Sequence, residues 1–331
     1  MLLNINEFSK SKELTVVSVI EDRDYFLWQQ EVQSLFLKES FPHLKTEVIV
    51  LYENDQPSRW ARHIGSLTDT SYYRVNEARY KEYKPSYKPL GIHYRINDNS
   101  KNKLKNILAI DSDVIINKEL DYFNILEGKD WVMSDCENYL GYTYLRKCIS
   151  EDRIEELGNI VGITKNQIQS IEIAGGAQYL YKNVDEYQNL FEKIAKDSVS
   201  LFKRLNEISK EDNSKIQVWT AEMWSQLWNA KINPGISVRE SMDFCWAPDS
   251  IEEMNIKTFT HFAGKPPEGS FQKTKHQNPF LDDLSDVTNS SNCAWYWKEL
   301  IEKYKDRCYS KGIFENRKVN NTIEHTIAYP F

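Results

Sequence analysis

The chain has 331 residues, 40% of them hydrophobic, with 42 Lys and Arg set against 49 Asp and Glu for a formal net charge of −7. The acid surplus excludes a generally basic nucleic-acid binder, though not one local basic groove, and no apolar run approaches the ~18 residues of a membrane span. This length suits one α/β catalytic domain with C-terminal elaboration rather than two large domains.

In chain order, the opening segment MLLNINEFSKSKELTVV lacks the basic start and apolar core of a signal peptide, so a cytoplasmic protein is expected. Leu14 to Ile20 is a β-branched run ending in Glu21, Asp22 and Arg23, which predicts a buried first strand. Phe26, Leu27, Val32, Leu35 and Phe36 recur with helical spacing between Tyr25 and Leu37. Thr46 to Tyr52 predicts a second strand, stopped by Glu53-Asn54-Asp55-Gln56-Pro57. Ser58 is placed to cap a helix running to Leu67, and Ser71 to Val75 predicts a weaker strand. Lys105 to Ile110 is the clearest strand, and it stops on Asp111-Ser112-Asp113. This alternation predicts an α/β, Rossmann-like fold with a mostly parallel sheet flanked by helices. Ligands of such sheets bind at the C-terminal strand ends, which places Ile20 to Asp22 and Asp111 to Asp113 on one rim.

Further along, Gly175-Gly176-Ala177-Gln178-Tyr179-Leu180-Tyr181 reads as a turn followed by a strand. Val184 to Ser209 predicts a long amphipathic helix. Val218 to Ala230 predicts another, with Trp219, Met223, Leu227 and Ala230 on one face. An apparent strand, Thr258 to Phe262, precedes the loop Gly264-Lys265-Pro266-Pro267-Glu268-Gly269, and a last helix is expected around Trp295 to Tyr304. The five cysteines are odd in number and form no C-x-x-C pair, as expected of a reduced intracellular protein. Aromatics at 13% fit either an aromatic-rich core or a concave surface on which sugars or bases stack.

Two carboxylates two residues apart at a strand end, Asp111 and Asp113, can approach one hard cation. Nucleotide diphosphates need such a cation, which neutralises the charge developing as the pyrophosphate leaves. An Asp-x-Asp alone serves equally well as a turn or helix cap. Thr260-His261-Phe262-Ala263-Gly264-Lys265-Pro266 adds a His at a strand end, then a Gly loop and a Lys. Imidazole can complete a metal site, and an ammonium beside it can hold phosphate oxygens as a point charge.

On these residues the chain resembles the retaining glycosyltransferases of the GT-A fold, including the glycogenin-like enzymes. Those carry a strand-terminal Asp-x-Asp and a late His-x-x-Gly-x-x-Lys-Pro segment, here shortened between Gly264 and Lys265. Trp219-Thr220-Ala221-Glu222-Met223 and Tyr83-Lys84-Pro85-Ser86-Tyr87-Lys88-Pro89 resemble segments of the hydroxyproline O-arabinosyltransferase and peptidyl-serine galactosyltransferase group, with its phage and bacterial relatives. The likeness spans most of residues 14 to 266. It implies a GT-A catalytic domain over 1–270, split into a nucleotide-sugar half (about 14–115) and a donor-sugar and acceptor half (about 116–270). A C-terminal extension, 271–331, follows.

The resemblance further implies Mn²⁺ or Mg²⁺ held by Asp111, Asp113 and His261, a UDP-sugar donor, and retention of configuration. Ser18, Ile20 and Glu21 would meet the base or ribose, and Ser112 shares the strand end. Lys88 or Arg95 would meet phosphate or stand equally well as a solvated charge, and Gly264 and Lys265 would meet phosphate. Gly175, Gly176 and Gln178 would line the donor-sugar pocket. Glu222 would stabilise the sugar's developing positive charge or bind its hydroxyls, if it is not merely a surface Glu on an amphipathic helix. Catalysis would thus rest on Glu222, Gln178 and Lys265. The acceptor hydroxyl stays open between a protein, a glycan and a hydroxymethylated base of phage DNA. The last would need a basic groove drawn from Arg59, Arg62, Arg74, Arg79, Lys273 and Lys275. No membrane and no obligate protein partner is expected. Two other classes remain. A sugar nucleotidyltransferase is disfavoured because Ile20-Glu21-Asp22-Arg23-Asp24 has no glycine, and a non-catalytic carbohydrate- or protein-binding module would not need all four of Asp111, Asp113, His261 and Lys265.

Overall fold

The computed structural model describes residues 13–276, 279, 280 and 282–308. Its main sheet has seven strands in the order β3-β2-β1-β4-β7-β6-β8. These are β1 (Leu14–Glu21), β2 (Lys45–Tyr52), β3 (Asp69–Arg74), β4 (Asn106–Ala109), β6 (Trp131–Asp135), β7 (Gly175–Tyr181) and β8 (Ile236–Val238). β1 runs parallel to both β2 and β4, and β7 is antiparallel to its neighbours β4 and β6. A second sheet joins β5 (Val114–Ile116), β9 (Phe244–Trp246) and β10 (Phe259–His261) in the order β5-β10-β9.

The two faces of the main sheet follow from the two-residue side-chain period of a strand. Val16 and Ile20 of β1, with Val48 and Val50 of β2, point into one core. Val17, Ile49 and Leu51 point into the other. On the first face lie α1 (Asp24–Ser40), α2 (Arg59–Leu67) and α7 (Cys293–Tyr304). On the second lie α3 (Tyr87–Ile96), α4 (Glu151–Val161), α5 (Gln188–Glu211) and α6 (Ala221–Ile232). Ser58 caps α2 as expected, its side chain accepting from the Ala61 amide.

The described residues between Phe271 and Cys308 are part of the first core. Trp28 of α1 sits within 6.5 Å, centroid to centroid, of Phe271, Phe280 and Trp297. Each buried ring of that size contributes about 1.5–3 kcal/mol by leaving water. This packing carries residues 271–276 back across the sheet's rim, where Lys273 enters the site.

Two local expectations differ from the structure. Gly175 and Gly176 belong to β7 itself rather than to a turn before it. Trp219 lies in a single 3₁₀ turn, Val218–Thr220, and is 49% exposed, so it is not on the buried face of α6. The helical spacing of Met223, Leu227 and Ala230 simply does not extend back through that turn. Among the described residues no helix is long and apolar enough to cross a membrane. All five cysteines are thiols.

Candidate active site

The chain leaves β4 at Ala109, turns through Asp111, Ser112 and Asp113, and enters β5 in the second sheet. The Asp-x-Asp therefore occupies the junction of the two sheets, on the C-terminal rim of the parallel strands. Strand pairing then brings up the histidine. The antiparallel register of β10 on β5 sets His261 opposite Val114, the residue after Asp113. The Phe262 amide extends this ladder to the Asp113 carbonyl at 2.9 Å. His261 Nε2 ends 3.5 Å from Asp113 Oδ1 and 3.8 Å from Asp111 Oδ2.

One potential ligand atom from each of the three side chains lies within 4.8 Å of the other two. Donors that share an ion at about 2.0–2.2 Å stand roughly 3–4 Å apart, so the separations of His261 from the two carboxylates suit a single divalent cation. Two carboxylate oxygens and an imidazole nitrogen suit Mn²⁺ or Mg²⁺ better than a soft metal that wants thiolate. The His261 Nδ1 atom is buried without a partner among the described residues. The Trp246 ring stacks on the imidazole at 5.2 Å, with Phe244 edge-on to Trp246 at 4.7 Å and Tyr139 6.2 Å away. These rings make an aromatic wall beside the cluster.

Two lysines attend the carboxylates. Lys88, on the first turn of α3, places Nζ 2.8 Å from Asp111 Oδ1 and 5.4 Å from the centre of the Tyr179 ring. α3 can lie this close because of Gly91, where a Cβ would stand 2.5 Å from Val19 Cγ1. Lys273 donates to Asp113 Oδ2 from the C-terminal segment. Burial works against the charge of both lysines, but the facing carboxylates outweigh it and hold both ammonium groups protonated. Burial likewise opposes ionisation of Asp113, yet Lys273 and then His261 keep its carboxyl far below the usual range.

Behind Lys88 lies Glu222, at the start of α6 and only 3% exposed. Gln226 donates to its carboxylate, Tyr181 donates to Gln226, and the Glu222 amide donates to the Tyr83 hydroxyl at 2.9 Å. Burial pushes the Glu222 carboxyl up to about 7, against the pull of Lys88 and the bond from Gln226. A surface glutamate is excluded. Gln178 is also fully buried: its Oε1 accepts from Ser134 Oγ at 2.7 Å, and its Nε2 has no partner among the described residues.

The other anticipated residues are scattered. Ser112 is buried within the turn. Ser18 is buried, its hydroxyl donating to Gln33 Oε1 at 2.8 Å, and the Ile20 side chain packs in the first core, leaving its backbone at the rim. Glu21 pairs with Lys84 at 2.9 Å. Gly175 and Gly176 admit close packing, since a Cβ would meet Met133 Cβ at 2.5 Å or Met223 Cε at 2.7 Å. Gly264 has φ +86°, and Lys265 beside it is exposed, outside the ion pairs of the cluster. Arg95 lies elsewhere. It is buried on the far part of α3 and donates to Glu47 of β2, itself 1% exposed, so it answers a core carboxylate and not a phosphate.

The residues considered for a basic groove are largely neutralised. Arg74 pairs with Asp55, Arg79 with Glu77, Lys275 with Asp286 and Lys273 with Asp113. Sequence reasoning missed Gln33 and Trp246, and did not foresee that Lys273 pairs with Asp113. The alternation Phe244-Cys245-Trp246 hinted at a strand, but nothing local linked it to His261.

No profile of a known protein family and no curated protein matches the chain. Among solved structures it is similar to an active-site mutant of LgtC, at 12% identity and TM-score 0.48, over 87% of this chain and 95% of that one. It is also similar to galactosyltransferase LgtC in complex with donor and acceptor sugar analogs, at 13% identity and TM-score 0.42, over 87% and 95% of the two chains. Likeness at this distance leaves the chemistry to the side chains themselves.

Proposed function

We propose that this chain is a metal-dependent glycosyltransferase of the GT-A type that moves a sugar from a UDP-sugar to an acceptor hydroxyl. The observation that carries this reading is the convergence of Asp111, Asp113 and His261 at the rim of the parallel sheet, with two half-buried lysines on the same carboxylates. Asp111, Asp113 and His261 would hold Mn²⁺ or Mg²⁺, which when bound neutralises charge on the departing diphosphate. Lys88 and Lys273 bring two compact point charges to the same rim, suited to phosphate oxygens. The aromatic wall of Trp246 and Tyr139 offers stacking faces. The unpartnered Nε2 of Gln178 can donate to a sugar hydroxyl, and Glu222, in a low-dielectric site, can stabilise positive charge at the anomeric carbon.

The reaction runs with retention in this reading. The acceptor oxygen bonds to the anomeric carbon from the leaving-group side as the bond to the diphosphate oxygen breaks. The acceptor proton passes to that departing oxygen, so no separate base is needed. The ion-paired state of Arg74, Arg79 and Lys275 favours a protein or glycan hydroxyl over DNA.

UDP release from UDP-glucose, UDP-galactose and UDP-arabinose, followed with and without candidate acceptors, tests this. At least one donor should release UDP in Mn²⁺ or Mg²⁺ and none in excess EDTA. Turnover indifferent to EDTA would contradict the metal role. Pyrophosphate release from UTP and a sugar 1-phosphate would identify a nucleotidyltransferase instead.

A further inference from the structure

The two metal-facing carboxylates stand on a turn, and a turn at the junction of two sheets needs something to hold it. Val114 closes it in part, its amide donating to the Asp111 carbonyl at 3.0 Å. The other contact comes from beneath, from a helix that contributes no ligand. Gln33 of α1 is fully buried, and its Nε2 donates to the Asp111 carbonyl at 2.7 Å and to the Val114 carbonyl at 2.6 Å. Those two carbonyls bracket the Asp-x-Asp. Its Oε1 accepts from Ser18 Oγ of β1 at 2.8 Å and from Gln30 Nε2, one turn back along α1, at 2.9 Å.

Every hydrogen and both acceptor positions of this amide are thus used. Its orientation follows from the partners, because only the nitrogen can serve two carbonyls. Asn would fall a methylene short, and Glu would set a carboxylate against both carbonyls. Gln at this position ties α1, β1 and the turn into one unit.

We propose that Gln33 is the positioning residue of the metal site, with Ser18 orienting it. It holds Asp111 and Asp113 in register with His261 before any cation or nucleotide arrives. The inference rests on the reading of Asp111, Asp113 and His261 as a metal centre. It assigns Ser18 to the support of that centre rather than to the nucleotide base. Partners behind the ligands of a metal site commonly account for about 10–100-fold in metal affinity, because they fix ligand geometry in advance.

The test is direct Mn²⁺ binding by the full chain without nucleotide, read from the electron paramagnetic resonance of free Mn²⁺, with folding checked by circular dichroism. Gln33→Met keeps the side chain's length and removes both donors, and should weaken Mn²⁺ binding about tenfold or more. Ser18→Ala, a milder change, should weaken it less and in the same direction, and serves alone if Gln33→Met does not fold. Ser71→Ala removes a buried hydroxyl whose bond, 2.7 Å to Glu47, lies away from the turn, and should leave Mn²⁺ affinity unchanged. Folded Gln33→Met or Ser18→Ala protein that binds Mn²⁺ as tightly as wild type would overturn the assignment. Wild-type protein that binds no Mn²⁺ would overturn the metal centre itself, and this inference with it.

Discussion

Replacing Glu222 by Gln should change how stability depends on pH, and by an amount the structure sets. The carboxyl is 3% exposed, and burial pushes it from an ordinary 4.5 up to about 7. The folded protein therefore binds this proton more tightly than the unfolded chain does. Its stabilising contribution is complete below pH 4.5 and is lost as pH rises through 7. At about 1.4 kcal/mol per pH unit, the gap amounts to about 3 kcal/mol. Glutamine keeps the shape and the link to Gln226 but carries no titrating proton. Urea unfolding of the two proteins from pH 4.5 to 8 should give similar stabilities at the acid end. At the alkaline end Glu222→Gln should be the more stable by about 3 kcal/mol. Parallel stability curves across that range would refute the reasoning, since they would mean that Lys88 compensates the burial of the carboxylate fully.

Other perturbations separate the site from the scaffold. Lys273→Met leaves the buried Asp113 carboxylate without its ammonium, so the metal-free protein should lose about 3 kcal/mol. Saturating Mn²⁺ should then raise the melting temperature by more than it does in wild type, as differential scanning fluorimetry would show. Arg95→Met strands Glu47 in the core and should cost about 3–5 kcal/mol in chemical denaturation while leaving Mn²⁺ affinity as it was. Gly175→Ala sets a methyl against Met133 Cβ, which cannot swing aside, and should cost about 1–3 kcal/mol in the same assay.

Much of this arrangement was legible in the residues. β-branched runs at Leu14 to Ile20 and Thr46 to Tyr52 announced central strands because a parallel strand buried on both faces is apolar throughout. Asp111 and Asp113 stood out because charge follows immediately on such a run. His261 was recognisable by its place at the end of an apolar stretch. Less legible was everything set by contacts remote in sequence. Gln33 lies on a helix at an ordinary polar position, and only the fold brings its amide under a turn 78 residues away. Lys273 reads only as part of a basic groove, because nothing local shows that the packing of Phe271 on Trp28 draws it onto Asp113. Arg95 sits on the same helix as Lys88 and was open to the same reading. Its position seven residues on puts it beside Glu47, deep in the sheet. Glu222 could not be separated from a solvated glutamate by spacing alone, because α6 is buried nearly all round.

The central claim is that Asp111, Asp113 and His261 together hold a divalent cation at the end of β4. Crystals grown with Mn²⁺ and UDP, with data collected for the anomalous signal of manganese, test it most directly. The expected result is one strong peak within about 2.0–2.3 Å of an oxygen of Asp111, an oxygen of Asp113 and a nitrogen of His261. UDP phosphate oxygens should complete its shell. Manganese bound elsewhere, or a site in which Lys88 and Lys273 keep both carboxylates and UDP lies apart from them, would contradict it.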